Sequence, residues 1–340
     1  MKKLFAVLAL FAFIASCKNN GEKKPDISNI KADVKILRFD RDFFSLDTLQ
    51  VATSLQKLQQ QYPSFLQNYF EFYTPINLHV RQGVARETVV TDYIRSIKPM
   101  YDILAKKYSD LSWLEKELSL AFRYTKHYFP SFKQPVVMST VEALSPDDAD
   151  EIYGTVYFAD TLTISLQMYA GNDFPGYDPK YYFDYLRRRF EPAYITRNAL
   201  RTVVNTWFPQ KRSLALVNEM IEAGRRLYVL DKLLPDMPDE IIIGYTKQQY
   251  EDCVEKEKLI WSHFLNNQLL YSEEPAINRE YVGEGPFTKD LGTDSPGNIG
   301  AFSGWQIVKK YMKKNSGTSL EQLLNTDPAE IFSGANYKPN

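Results

Sequence analysis

The chain has 340 residues, 44% of them hydrophobic and 14% aromatic, which is ample for a packed core. Its 41 Lys and Arg nearly balance 42 Asp and Glu, so no basic stripe points to nucleic acid. Three histidines (His79, His127, His263) and two cysteines (Cys17, Cys253) leave no disulfide framework and few soft metal ligands.

Met1, Lys2 and Lys3 are followed by an apolar run of 11 residues, Leu4 to Ile14. A bilayer core of roughly 30 Å needs about 20 helical residues, so this run is an export signal and not a span. Ile14-Ala15-Ser16-Cys17 is a lipobox: small residues precede a cysteine whose thiol takes a diacylglycerol before cleavage. Each buried CH₂ contributes about 0.8 kcal/mol, so two or three acyl chains (palmitate among them) anchor the chain through Cys17. With Cys17 acylated, Cys253 has no partner and reads as a buried small hydrophobe. Residues 18–30 are polar, contain Gly21 and Pro25, and read as a flexible tether. They lack the acidic run that directs some lipoproteins to the cell exterior, so the domain is expected to face the periplasm.

Residues 31–340 read as a single domain. The segment 33–43 alternates around Val34, Ile36 and Phe39 and predicts a first strand. Asp47 is expected to cap a helix running to Pro63, with a second piece from Ser64. Amphipathic helices follow over Thr88 to Tyr108 and Ser112 to His127. Val136 to Thr140, Gly154 to Ala159 and Leu162 to Met168 predict three strands, the last two joined across Ala159-Asp160-Thr161. Helices are expected over Tyr181 to Phe190, Ile195 to Thr206, Ser213 to Leu233 and Thr246 to Leu270. After a Gly/Pro-rich loop at 283–298, further helices are expected over Ile299 to Lys313, Leu320 to Leu324 and Pro328 to Ser333. The pattern is α+β: predominantly helical, with a small central sheet. The aromatic surplus is read as core, with a partner-binding surface as the alternative.

The Ser213 helix carries Asn218-Glu219-Met220-Ile221-Glu222. Zinc peptidases place two histidines at the spacing of 218 and 222, with a general-base glutamate after the first. Here Asn218 and Glu222 occupy the ligand positions and Glu219 the base position. Asn is a poor zinc ligand, and no histidine lies near this segment. Strand 162–168 is expected at the sheet edge, as in a zincin-like fold, leaving a groove beside the Ser213 helix for an extended peptide. Gly300 and Gly304 lie on one helical face, where they permit close packing against the Ser213 helix near Gly224; a glycine-lined pocket floor is the alternative.

Four stretches carry a family resemblance: Ile36-Leu37-Arg38-Phe39-Asp40-Arg41-Asp42-Phe43-Phe44, Leu216-Val217-Asn218-Glu219-Met220-Ile221, Gly224-Arg225-Arg226-Leu227-Tyr228-Val229-Leu230-Asp231, and Pro296-Gly297-Asn298-Ile299-Gly300-Ala301-Phe302-Ser303-Gly304-Trp305-Gln306-Ile307-Val308. With the lipobox, they resemble the gliding motility lipoprotein GldB family of Bacteroidetes. The resemblance implies an envelope lipoprotein needed for gliding, linked to the type IX secretion machinery, with protein partners there. The C-terminal half also resembles predicted zinc-dependent proteases that carry the intact two-histidine motif. The departure at Asn218 and Glu222 implies a degenerate zincin-like domain, with no metal or other cofactor, acting as a non-catalytic binding or assembly factor. The alternative is an envelope hydrolase whose Glu219, Glu222, Glu251 and Glu255 form a carboxylate site for Mg²⁺, Ca²⁺ or Mn²⁺, or for acid/base chemistry. A third reading makes the 218–222 stretch purely structural.

Overall fold

The computed structural model describes residues 24–145, 154–209 and 215–339. The export segment, Cys17, residues 18–23 and Ser213 lie outside the described residues. From Ile27 onward the backbone is docked on a helix: Arg123 donates to the carbonyls of Ile27 at 2.8 Å and Ile30 at 2.9 Å. Lys126 Nζ reaches Lys31 O at 2.7 Å, and Val34 N donates to Ser119 Oγ at 2.9 Å. Residues 27–30, expected in the flexible tether, are therefore fixed. The sequence shows no apolar period there because only Ile27 of 27–30 is a buried apolar side chain and backbone carbonyls make the hydrogen bonds.

The first strand is short. Ile36–Leu37 forms β1, and Phe39–Phe44 turns into helix α1. Arg38 binds Asp40 in a fork at 2.7 and 2.9 Å, which closes the first turn. Phe39 and Phe43 lie on one side of that turn and are both fully buried. The Phe39 ring meets Tyr62, Phe65 and Tyr69 at 5.0, 4.8 and 4.7 Å, so aromatic packing overrides strand alternation. Asp47 makes a turn, accepting from Leu49 N at 2.9 Å, and the helix begins at Val51.

Helices α2 (Val51–Gln61), α3 (Phe65–Asn68), α4 (Ile76–Arg81), α5 (Arg86–Lys107) and α6 (Ser112–Tyr128) follow, with a π-helical turn at Tyr69–Tyr73. Then come β2 (Val136–Thr140), β3 (Thr155–Phe158) and β4 (Thr161–Ser165). Ala159 and Asp160 both take positive φ, 47° and 63°, which gives the tight hairpin between β3 and β4 the right twist. The expected strand to Met168 stops at Ser165, where the chain turns into a 3-10 helix at Leu166–Tyr169.

The sheet order is β1-β2-β4-β3, with β1, β2 and β4 parallel and β3 antiparallel. Strand β4 is therefore internal and paired on both sides, and the edge strands are β1 and β3. This corrects the expected edge position of 162–168. Strand addition at β4 is unavailable because its backbone groups already bond to β2 and β3.

The rest is helical: α7 (Asp184–Arg187), α8 (Ile195–Trp207), α9 (Leu216–Leu233), α10 (Asp239–Ile243), α11 (Lys247–Glu255), α12 (Glu257–Asn266), α13 (Pro275–Val282), α14 (Ile299–Lys314), α15 (Leu320–Asn325) and α16 (Pro328–Ala335). The expected helix at 181–190 shrinks to α7, because Asp178 and Phe183 carbonyls close separate turns. The long helix expected at 246–270 breaks at Lys256 into α11 and α12. Helix α8 packs across β3 and β4, and α9 packs behind α8. The groove expected between β4 and α9 does not form, since α8 fills it.

A close backbone contact joins α9 to α14. A Cβ on Gly304 would sit 1.7 Å from Met220 O, and one on Gly224 would sit 2.2 Å from the Gly304 carbonyl carbon. The glycines at 224 and 304 are thus a packing seam, and the pocket-floor alternative falls away at Gly304 and also at Gly300, where a Cβ would sit 2.8 Å from Tyr281 O. One continuous hydrophobic core runs from Ala32 to Ala335. Among the described residues, no helix is long and apolar enough to cross a membrane.

Candidate functional site

The 218–222 segment occupies the first turn and a half of α9. The free amides of that helix end are capped by backbone: Leu216 N donates to Ser272 O at 3.0 Å, and Val217 N to Leu270 O at 2.8 Å. Asn218 and Glu219 are half-buried, whereas Glu222 is fully enclosed. Glu222 pairs with Arg225 one turn on, and its second oxygen lies 3.8 Å from Arg226 Nη2. Arg225 also donates to Thr326 O at 2.8 Å, and Arg226 to Phe208 O at 2.8 Å. Burial lowers the Arg226 pKa, and the Glu222 charge works against that shift. The carboxylate at the second ligand position thus holds two buried arginines, which in turn tie α9 to the chain before α16 and after α8.

Glu251 and Glu255 stand exposed on α11, with Lys247 Nζ 3.8 Å from Glu251. They do not join Glu219 and Glu222. Among the described residues, no three His, Cys, Asp or Glu side chains come together at metal-binding distance. His263 instead contacts Tyr281 OH at 2.8 Å, and Tyr281 donates to Asp290 at 2.8 Å. Cys253 is 2% exposed, and burial pushes its thiol up to about 12, which suits a core side chain and not a nucleophile.

A second region has open geometry. Between the π-helical turn and the β3 edge lies a groove of about 610 Å³. Its walls are aromatic: Phe72 and Phe158 are 68% and 51% exposed, and their rings are 5.8 Å apart. Its floor is polar. Glu142 is buried at 5% exposure, and Gln167 Nε2 donates to Glu142 Oε2 at 2.6 Å. Gln167 Oε1 accepts from Glu142 N at 3.2 Å, so the two side chains lock each other. Tyr73 OH lies 3.1 Å from Thr163 Oγ1 beneath the wall, and burial pushes its hydroxyl up to about 12. No Lys, Arg or His is among the described residues that line the groove.

Glu142, Gln167, Phe72 and Phe158 were not singled out by sequence reasoning. One signal was present: Glu142 is a lone carboxylate between Val141 and Ala143-Leu144, directly after a buried strand. The outward phase of β3, Val156 and Phe158, was another.

In comparison with known proteins, the family described as gliding motility protein GldB matches residues 20–339. No curated protein and no solved structure matches the chain.

Proposed function

The chain belongs to the GldB family of gliding motility lipoproteins, and from that premise we propose that it is a Cys17-anchored, periplasm-facing binding or assembly factor of the gliding and type IX secretion apparatus. In this reading the protein catalyses no reaction. Its Asn218-Glu219-Met220-Ile221-Glu222 segment is a zincin-like metal-binding motif turned to structural use. The observation that carries the reading is Glu222: its carboxylate is enclosed and engaged by Arg225 and Arg226. Freeing it for a metal would leave two buried guanidinium groups uncompensated.

The family match begins at residue 20, three residues after Cys17, so nearly the whole region beyond the lipobox belongs to the motility domain. Backbone docking from Ile27 then leaves a short connection between the acyl chains and the folded domain. Replacing Cys17→Ala tests the anchor. Radiolabelled palmitate incorporation and membrane fractionation should both be lost, and spreading on agar with them. A chain that stays in the membrane fraction and supports gliding without Cys17 contradicts the reading.

A further inference from the structure

We propose that the C-terminal end of α6, with the segment docked on it, is the face of the domain that rests on the bilayer, where its basic side chains meet anionic phospholipid headgroups. This rests on the reading of Cys17 as the anchor, and it adds which surface meets the lipid and by what chemistry.

Three observations converge on that occupant. The first is where the chain enters. Arg123 binds the carbonyls of Ile27 and Ile30, and Lys126 Nζ binds that of Lys31 at 2.7 Å. Ile27 follows Cys17 by ten residues in the sequence, and ten residues reach at most about 36 Å even when fully extended. A compact domain of this length is about 50 Å across, so the connection is too short to turn the far side to the membrane. The end of α6 that holds Ile27 stays on the lipid side.

The second is charge. From Leu118 to Val141 the sequence holds Arg123, Lys126 and Lys133 and no Asp or Glu. Arg123 and Lys126 donate to carbonyl and amide oxygens, which leaves their charges uncancelled. The docked segment adds Lys31, Asp26 and Asp33, all exposed, so four cations meet two acids at this end. The flanking Lys24 and Lys35 are paired with Asp236 and Glu115. Basic groups within a Debye length of an anionic lipid surface are drawn to it. The third is the aromatic border. Trp207 and Phe208, at the end of α8, are half-buried, with rings 5.0 and 5.6 Å from those of Phe132 and Phe129 just beyond α6. Such rings suit the level of the headgroups. Acyl chains and a basic patch act together in holding a protein to a membrane surface.

The test reconstitutes the acylated protein into vesicles of phosphatidylcholine, with or without one-third phosphatidylglycerol, that carry a nitroxide quencher on the headgroup. A thiol-reactive fluorophore is placed on Ser131→Cys, next to the basic end, or on Ser112→Cys, about 20 Å further along α6; both positions are exposed, and Cys253 is buried and stays unlabelled. The expected result is quenching at position 131 several-fold stronger than at 112, stronger on the phosphatidylglycerol vesicles, and weakened by added salt. Lys31→Glu combined with Lys133→Glu, both at exposed positions, should bring quenching at 131 down to its level on phosphatidylcholine alone, with an unchanged melting temperature. Equal quenching at the two positions, equal quenching on the two lipids, or indifference to the charge reversal overturns the proposal. Flotation of the vesicles reports the anchor separately. Protein that floats with an unquenched label at 131 overturns this inference and leaves the anchor standing, whereas acylated protein that does not float overturns both.

Discussion

At the α9–α14 seam two backbones touch. Gly304 lies against Met220 O, Gly224 lies against Gly304, and Glu222, between Met220 and Gly224 on α9, is sealed with Arg225. At the β3 edge the chain leaves space: a carboxylate of similar burial, Glu142, lines a groove walled by exposed rings. Both regions bury an acid, yet one lies inside a closed helix seam with two arginines and the other lines an open groove, locked by Gln167. A conspicuous motif on a helix can thus be a fastening, while an unremarkable Glu at the end of a strand lines an open groove.

If the seam is structural, its variants should lose stability. The largest effect is expected from Glu222→Gln, which strands a buried guanidinium. A loss of about 3–5 kcal/mol should show as a strongly lowered denaturation midpoint. Gly304→Ala comes next. Its methyl would meet backbone and not a movable side chain, so a loss of about 3 kcal/mol is expected in the same assay. Either variant with wild-type stability would break the comparison.

A smaller effect marks an ion pair away from both regions' acids. Arg189, just after α7, bonds Glu284, in the loop ahead of α14, at 2.7 Å. Burial opposes ionisation of Glu284, but the charges of Arg189, Arg201 and Arg197 outweigh it and hold the carboxyl at about 2, below its usual 4.5. The folded value lies below the unfolded one, so the stabilisation is complete above about pH 4.5 and lost as pH falls toward 2. Melting temperature against pH should fall over that window, and Glu284→Gln should flatten the fall by at most about 2 kcal/mol. The smallest effect sets the scale. Thr246→Ala removes one half of the capping box on α11, whose Gln249 N bond is 3.1 Å, and should cost about 1 kcal/mol in a thermal melt.

Much of this architecture was legible in the sequence. The α+β pattern, the strand at Val136–Thr140, the hairpin through Ala159-Asp160 and helix α14 follow from periodicity and turn chemistry. The glycine seam was legible because small residues four apart have few other uses in a helix. The first strand was misjudged: alternation in 33–43 ends where the Arg38–Asp40 fork and the Phe39–Phe43 stack favour a turn of helix. The edge position of β4 was misjudged too, since a crossover brings β4 beside β2, and strand order is a long-range property that local pattern does not encode. Of the candidate site, the residues at 218–222 were found, but the Glu222–Arg225 pair, three residues apart on one helix, was read as a motif and not as an ion pair. The groove was not legible, because it joins residues near 72, 142, 158 and 167 that meet only in the fold.

The central claim is that this protein works through its anchor and its surfaces and not through the 218–222 segment. Glu219→Gln, expressed from the chromosome in place of the natural chain, tests it most directly through spreading on agar, with immunoblots of the membrane fraction as control. The account predicts normal abundance and normal spreading. Wild-type levels of membrane-bound protein with gliding abolished would contradict it, because the 218–222 segment would then be needed for function in a correctly anchored protein.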